Sequence, residues 1–237
     1  MPYVEADIAA VAAAIADPTR ATMLDALLAG EALTAGELAR IAAVAPSTAS
    51  EHLRRLAASG LVKVVRVGRH RYHRLGGPDI AAALEALAAI APPRTRRTPT
   101  LRRVRADAAL TYARTCYDHF AGTVGVALLD SLVDTGRLAW DDDSLRFGAD
   151  AAWLETLDID VDALRSGRRP LLRSCLDWTT RRPHLAGALG AAIVESTMAR
   201  GWVVRRTPGH RAVRITPAGR AAFRELLDCD LPPAPAA

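Results

Sequence analysis

A mainly α-helical chain with small β-hairpins is predicted, and three observations predict it. Ala is abundant and aromatics make up only 5% of the 237 residues, a composition that favours helix packed on helix over a large sheet. Apolar residues recur at helical spacing in several short runs, each closed by glycine. After those glycines the pattern changes to short alternating stretches that suit strands. A chain of this length is expected to build one or two cores, and a break in composition near residue 92 favours two.

The elements follow in order. Asp17-Pro18-Thr19 has the form of an N-cap followed by proline at the first helical position, and Met23, Leu24, Leu27 and Leu28 then recur until Gly30. Thr34 with Glu37 three residues on reads as a capping box that opens a second short helix through Leu38 and Ile41. A break at 43–46 precedes APSTASEHLRRLAASG, where Ala49, Leu53 and Leu56 form the face to be buried. Ser47, Thr48, Ser50, His52, Arg54 and Arg55 lie elsewhere on that helix, which ends at Gly60. LVKVVRVGRHRYHRL then alternates as two strands turned at Gly68-Arg69. Helix, turn, helix and a basic hairpin together make a winged helix-turn-helix.

Charge agrees with this reading. Between His52 and Pro78 the chain carries Arg54, Arg55, Lys63, Arg66, Arg69, Arg71 and Arg74 and no carboxylate, the electrostatic footprint expected of nucleic-acid binding. The second helix of the pair fits a major groove. Its Ser47, Thr48, Ser50 and His52 are expected to reach base edges or phosphates of a double-stranded operator, while Arg54, Arg55, Arg69 and Arg71 hold the backbone and supply affinity more than sequence choice.

On LTAGELAR, APSTASEHLRRLAASGLV and RVGRHRYHRL the chain resembles the ArsR family of bacterial repressors over roughly residues 5–92. The resemblance implies a homodimer whose two-fold interface is built by helices at about 4–15 and 78–90, and repression relieved by a bound signal. It also implies no cofactor for the DNA-binding domain itself. Metal-sensing members carry cysteines before the recognition helix, where this sequence reads ELARIAAVAP; that metal site is absent, and Asp79 stands alone on the last helix.

The expected division is a winged helix-turn-helix over 1–92, a linker over 93–106 and a second domain over 107–237. Pro92, Pro93 and Pro99 with Arg94, Arg96, Arg97, Arg102, Arg103 and Arg105 give the linker an exposed, basic character. In the second domain HFAGTVGVALLDSLVDTGRL at 119–138 is echoed by HLAGALGAAIVESTMARGWV at 184–203, and upstream RTCYDH is echoed by RSCLDW if the second copy takes six extra residues. Two repeated, winged-helix-like halves, about 107–165 and 166–232, are therefore expected.

Equivalent residues of two copies converge under pseudo-two-fold symmetry, which would bring together Cys116, Tyr117, Asp118, His119, Cys175, Asp177, Trp178 and His184. With Cys116 and His119 at i and i+3 of one helix face, thiolate and imidazole suit a soft or transition metal ion. Other readings stay open: a thiol pair answering an oxidant, an apolar pocket for a small organic effector beside Tyr117 and Trp178, or plain core, with the domain a scaffold lacking any effector. In the last case Asp118 and Asp177 would be helix caps or partners of Arg114 and Arg173. Cys229 matches Ile159 in the other copy and reads as buried and apolar.

No phosphate-cradling glycine loop, nucleophile elbow or His-Glu-x-x-His pattern occurs, so catalysis is not expected, a thiol-dependent enzyme being the remote alternative. No apolar stretch spans a bilayer, the start MPYVEADIAA is acidic, and three scattered cysteines suit free thiols; a cytoplasmic protein away from membranes is expected.

Overall fold

A computed structural model describes residues 6–30, 32–68, 70–92, 108–149, 151–206 and 210–235. Expectations for Arg69 and for the basic linker at 93–106 lie outside those residues. The chain divides into two compact units, Met1–Leu84 and Glu85–Ala237.

In the first unit α1 (Ile8–Ile15), α2 (Pro18–Leu27), β1 (Leu33–Thr34), α3 (Ala35–Ala42), α4 (Pro46–Ala58), β2 (Val62–Val67) and β3 (His70–Leu75) follow one another, and α5 (Pro78–Ile90) runs on across the boundary. This is a winged helix-turn-helix. Its helices start where local chemistry starts them: Asp17 caps α2 by accepting from the backbone N–H groups of Thr19 and Arg20, and Thr34 and Glu37 form a reciprocal capping box on α3. The turn between α3 and α4 begins at Ala43, whose φ of 56° ends α3 in a left-handed cap. Met23, Leu24, Leu27, Leu38, Ala49, Leu53, Leu56 and Val62 form the core. The wing pairs β2 with β3 from Val62↔Leu75 to Val67↔His70, and β1 adds to the far edge of β3.

In the second unit one element order occurs twice. The hairpin β4 (Arg114–Cys116) and β5 (His119–Ala121), a helix Gly122–Asp134, and the hairpin β6 (Leu138–Asp141) and β7 (Ser144–Phe147) make the first stretch. The hairpin β8 (Arg173–Leu176) and β9 (Pro183–Ala186), a helix Gly187–Ala199, and the hairpin β10 (Val203–Arg205) and β11 (Val213–Ile215) make the second. A 3-10 turn, Ala152–Leu157, and a short helix, Val161–Arg165, follow the first; helix Pro217–Leu227 follows the second.

The two stretches clasp each other. Helix Gly122–Asp134 packs on β9, and helix Gly187–Ala199 packs on β5. Ser131 donates to the carbonyl of Leu227 and Ser196 to that of Leu157, so each long helix fastens the chain that follows the other stretch. Phe120, Leu128, Leu132, Leu154, Leu189, Ile193, Phe223 and Cys229 share one core.

One local expectation is corrected here. Cys116 and His119 do not share a helix face: they are cross-strand partners in the β4–β5 hairpin, flanking a two-residue turn in which Tyr117 has a φ of 61°. Spacing of three fits a helix turn and a two-residue hairpin equally, and the hairpin wins because the strands pack against the opposite helix. Cys175 pairs with His184 in the same way, and the six extra residues of the second copy lie in its longer hairpin loop.

Candidate functional site

Two surfaces carry chemistry, and the first is on α4. Leu53, Leu56 and Ala49 turn inward, which leaves Ser47, Thr48, Ser50, Arg54 and Arg55 exposed. Ser50 Oγ donates to the Pro46 carbonyl at 2.9 Å. Arg54 and Arg55 both hold Glu51: Arg54 makes two hydrogen bonds of 2.8 and 3.0 Å to its carboxylate and Arg55 one of 2.9 Å. Those bonds from Arg54 and then Arg55 bring the Glu51 carboxyl down to about 2. His52 points elsewhere. Its Nδ1 lies 3.7 Å from Asp17 Oδ1, beside the start of α2.

On the wing, Lys63, Arg66, Arg71 and Arg74 are exposed, and the register sets Lys63 opposite Arg74 and Arg66 opposite Arg71. Like charges directly opposite each other repel, so this arrangement is unfavourable until a polyanion lies across it. Arg54 of α4 and Arg71 of the wing line one groove of about 380 Å³ with Ser50, Leu53, Val64 and His73.

The second surface is internal. Cys116 Sγ lies 4.0 Å from Cys175 Sγ, and the rings of His119 and His184 stack with centroids 5.1 Å apart. One donor atom from each of these four residues lies within 4.8 Å of the other three. Three of the four are buried and Cys175 is half-buried. Two glycines make the approach possible: a Cβ on Gly190 would come within 3.1 Å of His119 Cβ and one on Gly125 within 3.5 Å of His184 Cβ, and both would strike backbone carbonyls closer still. Each histidine thus rests on the helix of the other stretch.

Shared hydrogen bonding sets the thiols apart. The contact with Cys175 and then burial push the Cys116 thiol up to about 12, while the same contact lowers Cys175. Cys116 Sγ also donates to Glu85 Oε2 at 2.7 Å, and Glu85 is in turn held by Arg211. For His119, burial opposes protonation, and its contacts with Cys116 and Asp118 outweigh that, so its pKa is raised.

Other expected members of the cluster take other roles. Tyr117 is 57% exposed at the hairpin tip. Asp118 orients His119, its Oδ1 lying 3.1 Å from Nδ1, and is clamped by Arg169 rather than by Arg114. Asp177 is fully buried and pairs with Arg114 at 2.7 Å, not with Arg173; it also accepts from the backbone of Gly122, Thr179 and Thr180. Trp178 lies under the Arg114 guanidinium, 4.9 Å from ring centroid to Cζ. Arg211 turns inward to Glu85 and the Thr115 carbonyl.

A helix-turn-helix domain family matches residues 15–65. The HTH-type transcriptional regulator YdfF of Bacillus subtilis (strain 168) is 40% identical over 223 residues, 94% of this chain and 97% of the relative. The chain belongs to the HTH-type transcriptional regulators. Solved structures similar to this regulator include the cadmium metal-sensor CMTR of Mycobacterium tuberculosis, at 32% identity over 40% of this chain and 97% of that one with a TM-score of 0.33. Another is the homodimeric winged helix-turn-helix DNA-binding domain Mb0332 of Mycobacterium bovis, at 28% identity over 38% and 89% with the same TM-score of 0.33.

The regulator is not an enzyme, and among its described residues no helix is long and apolar enough to cross a membrane. Sequence reasoning missed Glu51, Glu85 and Arg169. Glu51 was within reach, because a carboxylate three and four residues before two arginines on a helix is a pairing signal. Glu85 and Arg169 meet partners more than thirty residues away and leave no local trace.

Proposed function

We propose that this regulator is a homodimeric repressor of the ArsR kind, which binds an operator in double-stranded DNA through α4 and the wing and releases it when the second unit takes up a signal. The supporting observation is the division of α4: its apolar face is wholly inside, and its outward face is made of small hydroxyl residues near the N-terminus followed by Arg54 and Arg55. Short polar side chains at the front of a helix suit base edges, and arginines behind them suit phosphates. Ile8 and Val11 on α1 and Leu87 and Ile90 on α5 are exposed, which supports a further apolar interface on the two helices that the family resemblance assigns to dimerisation.

Operator binding followed against salt tests the reading. Arg54→Ala and Arg55→Ala should each weaken binding and flatten the log–log salt dependence by about 0.9 for each phosphate that the variant leaves unneutralised. An unchanged slope in both variants would remove α4 from the DNA backbone. A monomer by analytical ultracentrifugation, alone and on DNA, would remove the two-fold arrangement.

A further inference from the structure

We propose that Cys116, His119, Cys175 and His184 are the ligands of one tetrahedral, thiophilic divalent metal ion, with Zn2+ the best match. Such an ion would be the signal that the repressor answers; the proposal rests on that function for its effect on DNA and not for the binding itself.

Spacing is the first argument. A tetrahedral ion with bonds of about 2.3 Å to sulfur holds two thiolates about 3.8 Å apart. The two sulfurs stand 4.0 Å apart. A disulfide would need them at about 2.05 Å. The four donor atoms, all within 4.8 Å of one another, surround a common centre that a small contraction would close.

Unmet polar atoms are the second. His119 Nε2 and both ring nitrogens of His184 are buried without a hydrogen-bond partner. Buried imidazole nitrogens are normally satisfied, and an ion between the hairpins would satisfy one from each ring. The preparation of His119 agrees: Asp118 holds its Nδ1, which leaves Nε2 toward the cluster, the arrangement found where a carboxylate fixes a metal-binding histidine. Asp177 Oδ2 stands 3.9 Å from His184 Nδ1, the matching position in the other stretch.

Donor chemistry selects the ion. Two sulfurs and two imidazoles are too soft for Mg2+ or Ca2+, which take oxygen, and suit Zn2+ or Cd2+. Binding releases both thiol protons to solvent, and two thiolates with two neutral imidazoles around a divalent ion leave no net charge in a buried place. No electron is transferred. The proton that Cys116 shares with Glu85 is one of those released, so occupancy removes a hydrogen bond to α5, the helix whose first turns belong to the DNA-binding unit.

The test uses full-length protein, reduced, stripped with a chelator and titrated with Co2+ and then Zn2+ in the absence of DNA. One Co2+ per chain is expected, with thiolate charge-transfer and tetrahedral ligand-field bands that Zn2+ abolishes. Cys116→Ser, Cys175→Ser, His119→Gln and His184→Gln should each weaken Co2+ binding on the order of 100-fold, Asp118→Asn about 10-fold, and Cys229→Ala not at all. Circular dichroism checks that each variant is folded. In the wild type, Zn2+ should protect Cys116 and Cys175 from alkylation, a measurement that needs no variant.

An octahedral spectrum, unchanged affinity in the folded ligand variants, or no protection of the two thiols would overturn the site. So would a Cys116–Cys175 disulfide that forms as readily with Zn2+ as without it, the mark of a redox pair. Operator binding measured on the same preparation keeps the two proposals apart: metal uptake without DNA binding sinks the repressor, and DNA binding without metal uptake sinks the site.

Discussion

Arginine does opposite work in the two units. On α4, Arg54 and Arg55 are exposed and share Glu51 across a solvated surface, whereas Arg114 is 1% exposed and meets a buried Asp177. The surface pairs are exchangeable, because water and salt compete with them and a phosphate could replace the carboxylate. The buried pair has no such alternative. The guanidinium lies over Trp178 and the carboxylate at the start of helix Gly122–Asp134, and each is the other's chief neutralising charge. Placement decides whether an arginine is free to bind DNA or fixed in the scaffold, and both kinds look alike in a one-dimensional count of basic residues.

Removing one partner of the buried pair should give the largest effect. Asp177→Ala leaves Arg114 with only the more distant Glu85, 3.9 Å away, and takes the acceptor from three backbone N–H groups, and a loss of about 3–5 kcal/mol is expected in urea unfolding. The pH dependence should follow. Although burial opposes its charge, Arg114 and the hydrogen bonds from Thr179, Thr180 and Gly122 hold Asp177 at about 2, below its ordinary 3.8. A depressed carboxyl contributes its full stability above 3.8 and loses it as the pH falls toward about 2, so Asp177→Asn should remove that part of the acid transition. An unchanged acid limb would mean that the pair contributes nothing to folding.

Smaller and more local, Thr34→Ala should cost about 1 kcal/mol by undoing the capping box of α3, since the backbone N–H of Glu37 loses the Thr34 Oγ1 that accepts from it. Thermal unfolding of the winged unit is the check, and no shift would mean that water caps the helix equally well.

The smallest effect on stability is expected for Glu51→Gln, since an exposed pair contributes little. Its effect on DNA should be larger: with their intramolecular partner neutralised, Arg54 and Arg55 reach phosphates without competition, and the operator should bind more tightly at low salt. Anisotropy titrations at two salt concentrations would show this, and equal or weaker binding would mean that Glu51 positions the arginines rather than occupying them.

How far the sequence could be read follows the same line between local and distant causes. The caps at Asp17 and Thr34, the inward face of Ala49, Leu53 and Leu56, and the wing turned after Val67 are written within a few residues each, and the structure has them there. The echoed Cys and His positions were also visible, because similarity between two stretches is itself a sequence property. The hairpin that carries Cys116 and His119 was not: strands of three residues leave too little alternation to see, and a Tyr-Asp turn with positive φ at Tyr117 lacks the glycine that advertises such turns. Spacing pairs Asp177 with Arg173, four residues away, and the fold pairs it with Arg114, sixty-three away. Local spacing finds neighbours along a helix; it has no means of finding a partner brought in by packing.

The reciprocal seating of His119 on Gly190 and His184 on Gly125 has a consequence for folding. Each hairpin brings one sulfur and one imidazole, and the opposite stretch supplies the floor on which they stand. A chain with only one stretch folded therefore offers half of a pocket with nothing beneath it. The four side chains become a quartet at the last step of docking, so their meeting marks a finished domain.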